Sequence, residues 1–195
     1  LKVELSHEEE LQVHAALSDV LLSLGKIKEA RREIEAVLVK QEASPLIFAL
    51  ATIDETEGNF IQAEKGYRRV LELLPDNPLA ANNLAMLLLK TDGSAQDALV
   101  LAGLARKVTP NNRIIEGTYG CALVQTGANQ EGVTILEKLT QTSSNQDAWA
   151  HFFLAKGLVA LNKPEEAKAR FAKVLAIDTA FPKRAEVERE LDKRL

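Results

Sequence analysis

The chain has almost no cysteine, since Cys121 is the single one among 195 residues. A disulfide within the chain is therefore excluded, and so is a metal site built from several thiolates. A lone cysteine is typical of cytosolic proteins, although it does not exclude the periplasm. We interpret Cys121 as a small apolar side chain packed in a helix rather than as a reactive thiol.

Long apolar runs and runs of basic residues are also missing. The longest apolar stretch, near 84–89, is well short of the roughly 18 residues of a membrane span. The formal net charge is −4 and no stretch is rich in lysine and arginine, which disfavours a nucleic-acid-binding protein. Aromatic residues make up only 5% of the chain, a value that suits close helix packing better than a sandwich or barrel. We therefore expect no nucleic-acid partner and no direct membrane span.

What the chain does contain is a small residue that recurs about every 34 positions. A glycine or an asparagine stands five positions before each small residue, where it can end a helix. The small residues are Ala30, Ala63, Ala98, Gly132 and Ala167, and the turn residues are Gly25, Gly58, Gly93, Gly127 and Asn162. A period of roughly 20–50 residues is typical of solenoids, and the 34-residue class is a helix–turn–helix.

Each repeat is predicted to hold a first helix, a tight turn and a second helix. The five repeats span about 11–43, 44–77, 78–112, 113–146 and 147–180. In the second helices, apolar residues follow the small residue after four and seven positions, which is the buried stripe of an amphipathic helix. The last segment, 181–195, is predicted to be a capping helix with its apolar stripe at Phe181, Ala185, Leu191 and Leu195.

Three helix starts carry capping signals. Ser6 and Glu9 form the pattern of a capping box at the start of the first helix. Ser44 and Asn77 each precede a proline, so we predict both as side-chain N-caps.

This pattern resembles the tetratricopeptide repeat (TPR). The clearest match is Gly58-Asn59-Phe60, Ala63, Tyr67, Val70-Leu71 and Pro75-Asp76-Asn77. The third repeat has one extra residue in its turn region, Asp54 stands where other repeats have leucine, and Gly132 replaces the usual alanine. The resemblance implies an all-α fold, namely a right-handed superhelical solenoid of about five TPR units plus a capping helix. We expect this solenoid to be a single domain over residues 1–195.

A narrower resemblance is to bacterial TPR proteins linked to exopolysaccharide and exosortase (PEP-CTERM) systems. It rests on Tyr119-Gly120, the stretch 122–127, Gly132 and Phe181-Pro182. Those are envelope proteins, so the resemblance implies a role in envelope or protein-sorting assembly. The chain begins at Leu1 rather than methionine, which fits either a removed upstream segment or a piece of a longer protein. The localisation stays open between the bacterial periplasm or envelope and the cytoplasm.

The sequence offers no catalytic, cofactor or metal site. His7, His14 and His151 lie in the first and last repeats, which a solenoid holds apart, so they cannot form one site. No histidine pair has metal-ligand spacing, and no glycine-rich phosphate-binding loop occurs. We predict a protein that is not an enzyme; an enzyme or cofactor binder would need a convergent polar site.

The resemblance places a binding groove on the concave face that the first helices of a TPR array line. That face is mostly apolar here, which indicates a peptide or helix segment of another protein as the ligand. In TPR proteins that hold extended peptides, an asparagine ahead of the large–small pair often bonds the ligand backbone, and Asn83 precedes Leu84-Ala85. The predicted partner-binding residues are Phe48, Thr52, Leu79, Asn82, Asn83, Met86, Ile114, Trp149, Phe152 and Lys156. For Trp149, filling a seam between helices is an equally good interpretation.

Our leading hypothesis is a non-enzymatic scaffold that binds a protein segment in this groove. The alternative is a structural, self-associating module, a homo-oligomer held through the groove or through the terminal helix.

Overall fold

The computed structural model describes residues 6–141 and 147–193, and these residues form eleven α-helices and no strand. The helices are α1 (His7–Ser23), α2 (Ile27–Leu38), α3 (Ser44–Thr56), α4 (Phe60–Leu73), α5 (Pro78–Lys90), α6 (Ala95–Val108), α7 (Arg113–Gln125), α8 (Asn129–Thr140), α9 (Ala148–Ala160), α10 (Pro164–Ile177) and α11 (Arg184–Asp192). Helices α1 to α10 alternate as first and second helices, and α11 follows them. The prediction of an all-α helical-repeat solenoid is confirmed.

The chain divides into two compact bodies, and the division falls within α5 after Leu87. We call residues 6–87 the N-terminal body and residues 88–193 the C-terminal body. The predicted single domain over 1–195 stays a prediction.

The helix starts follow local hydrogen-bond chemistry at most of the predicted caps. At α1 the Ser6 Oγ accepts from the Glu9 N–H at 3.3 Å, and the Glu9 carboxylate accepts from the Ser6 N–H at 2.7 Å. Asn77 caps α5, since its Oδ1 accepts from the Ala80 N–H at 2.9 Å. The prediction for Ser44 is wrong, because Ser44 is already the first residue of α3 and the N-cap position is held by Ala43.

The turns between paired helices use a left-handed residue, as predicted, with one displacement. Gly25, Gly58, Gly127 and Asn162 have positive φ angles between 59° and 92°. In the third repeat the left-handed residue is Asp92 (φ 55°) rather than Gly93. The extra residue puts six positions instead of five between Asp92 and Ala98, so Gly93 takes the next place and donates its N–H to the Leu88 carbonyl at 2.8 Å.

The N-terminal body is held by the small residues and stripes that the repeat predicts. Ala30, Ala63, Ile34 and Tyr67 are fully buried. Gly66 on α4 lies against α3 so closely that a Cβ there would stand 2.7 Å from the Ala51 Cβ.

Asp54 has a physical reason for standing at an otherwise apolar position of α3. Its buried carboxylate lies 2.7 Å from the guanidinium of Arg31 on α2, and the same guanidinium contacts Glu57 at 2.7 Å. The pair links two consecutive repeats inside the N-terminal body. It satisfies a buried charge that would otherwise be costly.

The C-terminal body contains a glycine-lined contact among α7, α8 and α9. A Cβ on Gly132 would lie 2.7 Å from Val124 Cγ2 and 2.8 Å from the Gly120 carbonyl oxygen. A Cβ on Gly157 would lie 2.6 Å from Val133 Cγ2. The replacement of alanine by Gly132 therefore lets α8 approach the backbone of α7 more closely than any other residue would allow.

The capping segment closes the C-terminal body with different residues from some of those predicted. Phe181 and Val187 are buried, and Leu191 is half-buried. Ala185 is exposed, so the prediction that it belongs to the apolar stripe is wrong. The predicted Leu195 lies outside the described residues. Lys183, just before α11, forms an ion pair with Asp92 in the α5–α6 turn, 91 residues earlier in the chain.

Candidate functional site

Four of the predicted binding residues meet in the N-terminal body around a tyrosine from α4. Phe48 and Thr52 come from α3, and Asn82 and Asn83 come from α5. We call the following set the Tyr67 cluster: Phe48, Thr52, Glu55, Tyr67, Asn82 and Asn83. Five of its six members carry hydrogen-bonding side chains and the sixth, Phe48, is apolar. Met86 lies one helical turn further along α5.

The phenol of Tyr67 connects the cluster. Its hydroxyl donates to the Glu55 carboxylate at 3.0 Å and accepts from the Asn83 Nδ2 at 3.4 Å. It also lies 3.4 Å from the Thr52 hydroxyl, which donates its own proton to the Phe48 carbonyl at 3.0 Å. The ring centroids of Phe48 and Tyr67 are 5.7 Å apart in a tilted arrangement.

Burial makes the neutral form of this phenol still more favourable. Desolvation, together with the charge of Glu55, raises the pKa of Tyr67 to about 12 in spite of the Thr52 hydrogen bond. Because the hydroxyl stays protonated at neutral pH, it remains a hydrogen-bond donor to Glu55. The cluster is therefore set up to hold polar groups in place and contains no activated nucleophile.

Asn82 contributes an unusual acceptor to the cluster. Its Nδ2 donates to the Asn83 Oδ1 at 3.3 Å, while its own Oδ1 is buried and accepts from no described residue. Only 6% of Asn82 is exposed. A buried acceptor left without a donor costs about 1–3 kcal/mol. Because the Oδ1 atom is covered, a ligand N–H reaches it only after the Asn82 side chain turns outward.

The other predicted residues do not join this cluster. Leu79 is 56% exposed on the first turn of α5, and Ile114 is 74% exposed on α7 in the C-terminal body. Trp149, Phe152 and Lys156 all lie on α9 of the C-terminal body. The described structure therefore gathers Phe48, Thr52, Asn82 and Asn83, with Met86 one helical turn away. The predicted residues that lie outside the cluster are Leu79, Ile114, Trp149, Phe152 and Lys156.

The α9 residues form a packed aromatic cluster instead of an open apolar surface. Trp149 and Phe152 contact Phe181, with ring centroids 4.6 Å and 5.4 Å apart, and Phe152 is only 1% exposed. The interpretation of Phe152 as a groove contact is corrected by this burial, because Phe181 from the capping segment covers it. Trp149 is half-buried and fills a seam, which was the other interpretation of that residue.

Lys156 is held at the edge of the same cluster. Its Nζ donates to the Gln125 Oε1 at 3.0 Å and lies 5.5 Å from the ring centroid of Phe152. Cation–π attraction of this kind stabilises a partly buried ammonium by about 1 kcal/mol. Lys156 is therefore engaged within the C-terminal body.

Periodicity alone did not mark the central residue of the site. It predicts Tyr67 as a filler of the seam between helices, and the ring is indeed fully buried. The signal that could have marked it is the hydroxyl, because a buried tyrosine usually needs a hydrogen-bond partner.

The described part of the chain has no constellation for metal binding. No group of three histidine, cysteine, aspartate or glutamate side chains in it could hold a metal ion. Cys121 is buried, and desolvation raises the pKa of its thiol well above the ordinary value, so it stays protonated. No described helix is long and apolar enough to cross a membrane.

Comparison with known proteins shows which solved structures have a similar fold. No family model matches the chain, and no curated protein matches its sequence. Among solved structures, YrrB, described as a TPR protein with an unusual peptide-binding site, has 16% identity over 85% of both chains, with a TM-score of 0.65. TTC0263, a thermophilic TPR protein of Thermus thermophilus, has 17% identity over 92% of this chain and 98% of its own, with a TM-score of 0.60.

A third similar structure is MamA 41-end from Desulfovibrio magneticus RS-1. It has 18% identity over 95% of this chain and 98% of its own, with a TM-score of 0.67. These structures confirm the resemblance to TPR proteins at the level of the fold. The narrower resemblance to exosortase-associated envelope proteins is not confirmed by them.

Proposed function

We propose that this chain, whose fold is that of the tetratricopeptide-repeat proteins, is a non-enzymatic scaffold that binds a segment of another protein at the Tyr67 cluster. The observation that carries the proposal is the half-buried Asn83 amide, which lies beside the Tyr67 hydroxyl and next to the unpaired Asn82 Oδ1. An extended peptide presents backbone N–H and C=O groups that match such amides in both directions.

The apolar neighbours of the asparagines suit the same ligand. Phe48 and Met86 are half-buried, so each keeps apolar surface that a ligand side chain can cover. Peptide-recognition sites commonly combine backbone hydrogen bonds with a few apolar anchors of this kind. The similar structure YrrB supports the idea only by its description as a protein with a peptide-binding site.

This proposal narrows the groove expected from the sequence. Phe152 is covered, and Trp149 and Lys156 are engaged in the aromatic cluster, so the proposed contacts are Phe48, Thr52, Asn82, Asn83 and Met86. A role in envelope or protein-sorting assembly is a further expectation of the narrower resemblance, and the contacts above do not depend on it.

The test starts with peptides selected by phage display on the full chain. We expect a selected peptide to bind Asn83→Ala about tenfold more weakly by calorimetry, because one or two backbone hydrogen bonds are lost. Met86→Lys should weaken it by a similar factor, while Ile61→Lys, at a position 71% exposed on α4, should bind like the wild type. Far-ultraviolet circular dichroism would check that all three variants fold. Equal affinity for Asn83→Ala, Met86→Lys and Ile61→Lys would show that the peptide binds elsewhere.

The alternative, self-association, is favoured by one observation on α1. Val13, Val20 and Leu24 are each more than half exposed and Leu17 is 39% exposed, at spacings of four, three and four residues. These spacings put Val13, Leu17 and Val20 on one face of α1, and Leu24, the C-cap residue, extends the same stripe. A monomer rarely exposes such an apolar stripe.

For this alternative we expect multi-angle light scattering to report a dimer that Val13→Glu with Val20→Glu converts into a monomer. The matched control is Val100→Glu with Val108→Glu, at exposed positions of α6. A monomeric mass for the wild type from about 10 μM to 1 mM would reject self-association through α1. A dimer that does not form in this range would have a dissociation constant above about 1 mM, which is too weak for a stable assembly.

A further inference from the structure

A cleft in the C-terminal body follows the connection from α6 to α7. One part, between α7 and α8, has a volume of about 410 Å³, and the other, along α6, has a volume of about 370 Å³. Arg106, Asn111 and Glu116 line both parts, and we call the two adjacent parts together the basic cleft. Each part lies within the range of ligand-binding clefts, roughly 300–1,000 Å³.

The charge of the basic cleft is opposite to that of the chain. Four cations line it (Arg106, Arg113, Lys107 and Lys138), with Glu116 as its single carboxylate among the described lining residues. Glu116 is already paired with Arg106, the Nε and Oε1 atoms being 2.7 Å apart. The formal net charge of the whole chain is −4, so this concentration of cations is local.

Two of the cations lack a counter-ion of their own. Lys107 and Lys138 are exposed, and no carboxylate of the described residues lies within 4.0 Å of either ammonium. Arg113 donates to the Leu139 carbonyl at 3.2 Å, a bond that keeps its guanidinium at the cleft. The ammonium groups of Lys107 and Lys138 therefore add positive charge at the cleft that no described carboxylate pairs.

The N-terminal end of α7 and two apolar residues of α8 indicate which kind of ligand the cleft fits. The first turn of α7 lies at the cleft, and the N-terminal end of a helix favours negative charge. Ile135 and Leu139 on α8 supply an apolar part of the lining. A ligand that fits both properties carries carboxylates on either side of an aliphatic side chain.

We infer that the basic cleft binds an acidic protein segment, in which an aliphatic side chain contacts Ile135 and Leu139 while carboxylates pair with Lys107, Lys138 and the neighbouring arginines. A nucleic acid is the less suitable occupant, because Ile135 and Leu139 add apolar side chains to the lining of the cleft. This surface is separate from the Tyr67 cluster, so its occupation does not depend on the function proposed there.

The probe for the test is a fluorescein-labelled octapeptide, EDLEDLED, added to the full chain and followed by fluorescence anisotropy. We expect saturable binding that weakens as salt is raised, because exposed charge pairs are screened. The double variant Lys107→Glu with Lys138→Glu should bind about tenfold more weakly. The matched control, Lys28→Glu with Lys65→Glu, reverses two exposed lysines of the N-terminal body and should change the affinity by less than about twofold.

Three outcomes would overturn the inference. One is the absence of saturable binding up to about 1 mM peptide. Another is equal weakening by the cleft variant and the control variant, which would indicate a general charge effect. The third is tighter, cleft-dependent binding of a labelled single-stranded oligonucleotide, which would assign the cleft to nucleic acid instead. The peptide KKLKKLKK, which keeps the leucines, should not bind if the carboxylates are required.

Discussion

Gly132→Ala is expected to lower the free energy of unfolding by about 2 kcal/mol, although alanine favours helices over glycine by about 1 kcal/mol. The added methyl group would lie 2.7 Å from Val124 Cγ2, 2.8 Å from the Gly120 carbonyl oxygen and 3.0 Å from the Val124 nitrogen. Two of these three atoms belong to the backbone of α7, so a side-chain rotation cannot relieve the contact. The helices must separate, which loosens the packing around them.

The control for this substitution is another glycine within a helix of the same body. Gly103→Ala on α6 meets only Tyr119 Cε2 at 3.9 Å, an ordinary contact distance. We expect it to raise the free energy of unfolding by about 0.5–1 kcal/mol, the usual gain from glycine to alanine in a helix. Urea unfolding followed by circular dichroism would measure both variants. Stabilisation by both substitutions would contradict the close contact between α7 and α8.

The second large effect is expected at Arg31. Replacing it by methionine leaves the carboxylate of Asp54, whose side chain is only 8% exposed, without its partner. Removing one member of a buried ion pair costs about 3–5 kcal/mol; because Arg31 itself is 23% exposed, we expect about 3 kcal/mol here. Thermal and urea unfolding of the Arg31→Met variant would give this value.

A double variant separates the ion pair from general packing. Arg31→Met with Asp54→Leu should recover most of the lost free energy, since leucine is the residue that other repeats place at this position. Arg68→Met is the matched control, because its exposed pair with Glu64 within one helix is worth only about 0.5 kcal/mol. If the double variant were as unstable as Arg31→Met alone, the burial of an unpaired carboxylate would not be the cause.

The sequence was sufficient for the helical repeat because that repeat depends on local chemistry. The spacing of Ala30 and Ala63 and the turn glycines specify helix pairs without knowledge of distant contacts. The displaced turn at Asp92 shows the limit of such counting. A single extra residue moved the left-handed position, and only the backbone geometry shows which residue took it.

Contacts between distant residues were the part that the sequence could not supply. By sequence, Asp54 is an exception among the leucines at its position, and its partner Arg31 lies 23 residues earlier in the chain. By sequence, Gly132 was only a departure from the usual alanine, whereas in the structure its missing side chain admits the backbone of α7. Phe152 looked accessible by its position on α9, but Phe181 comes from beyond the last repeat and covers it.

The candidate site was predicted only in part, because some of its contacts also join residues that are distant in the sequence. The position of Asn83 before Leu84-Ala85 was enough to select it, since the resemblance to TPR proteins gives that position a role. The hydrogen bond from Asn83 to Tyr67 depends on how α4 and α5 pack, which periodicity does not specify. Likewise, the unpaired Oδ1 of Asn82 follows from three-dimensional burial rather than from residue type.

The ion pair between Lys183 and Asp92 also bears on how the chain folds during synthesis. Solenoids form mostly from contacts between neighbouring repeats, so each repeat can fold soon after it emerges from the ribosome. The Asp92–Lys183 pair instead joins residues 91 positions apart. Contacts of this range close a long loop and form late. The contact between Asp92 and Lys183 therefore forms only after the segment preceding α11 has been synthesised, whereas the pairing of α1 with α2 can already be complete.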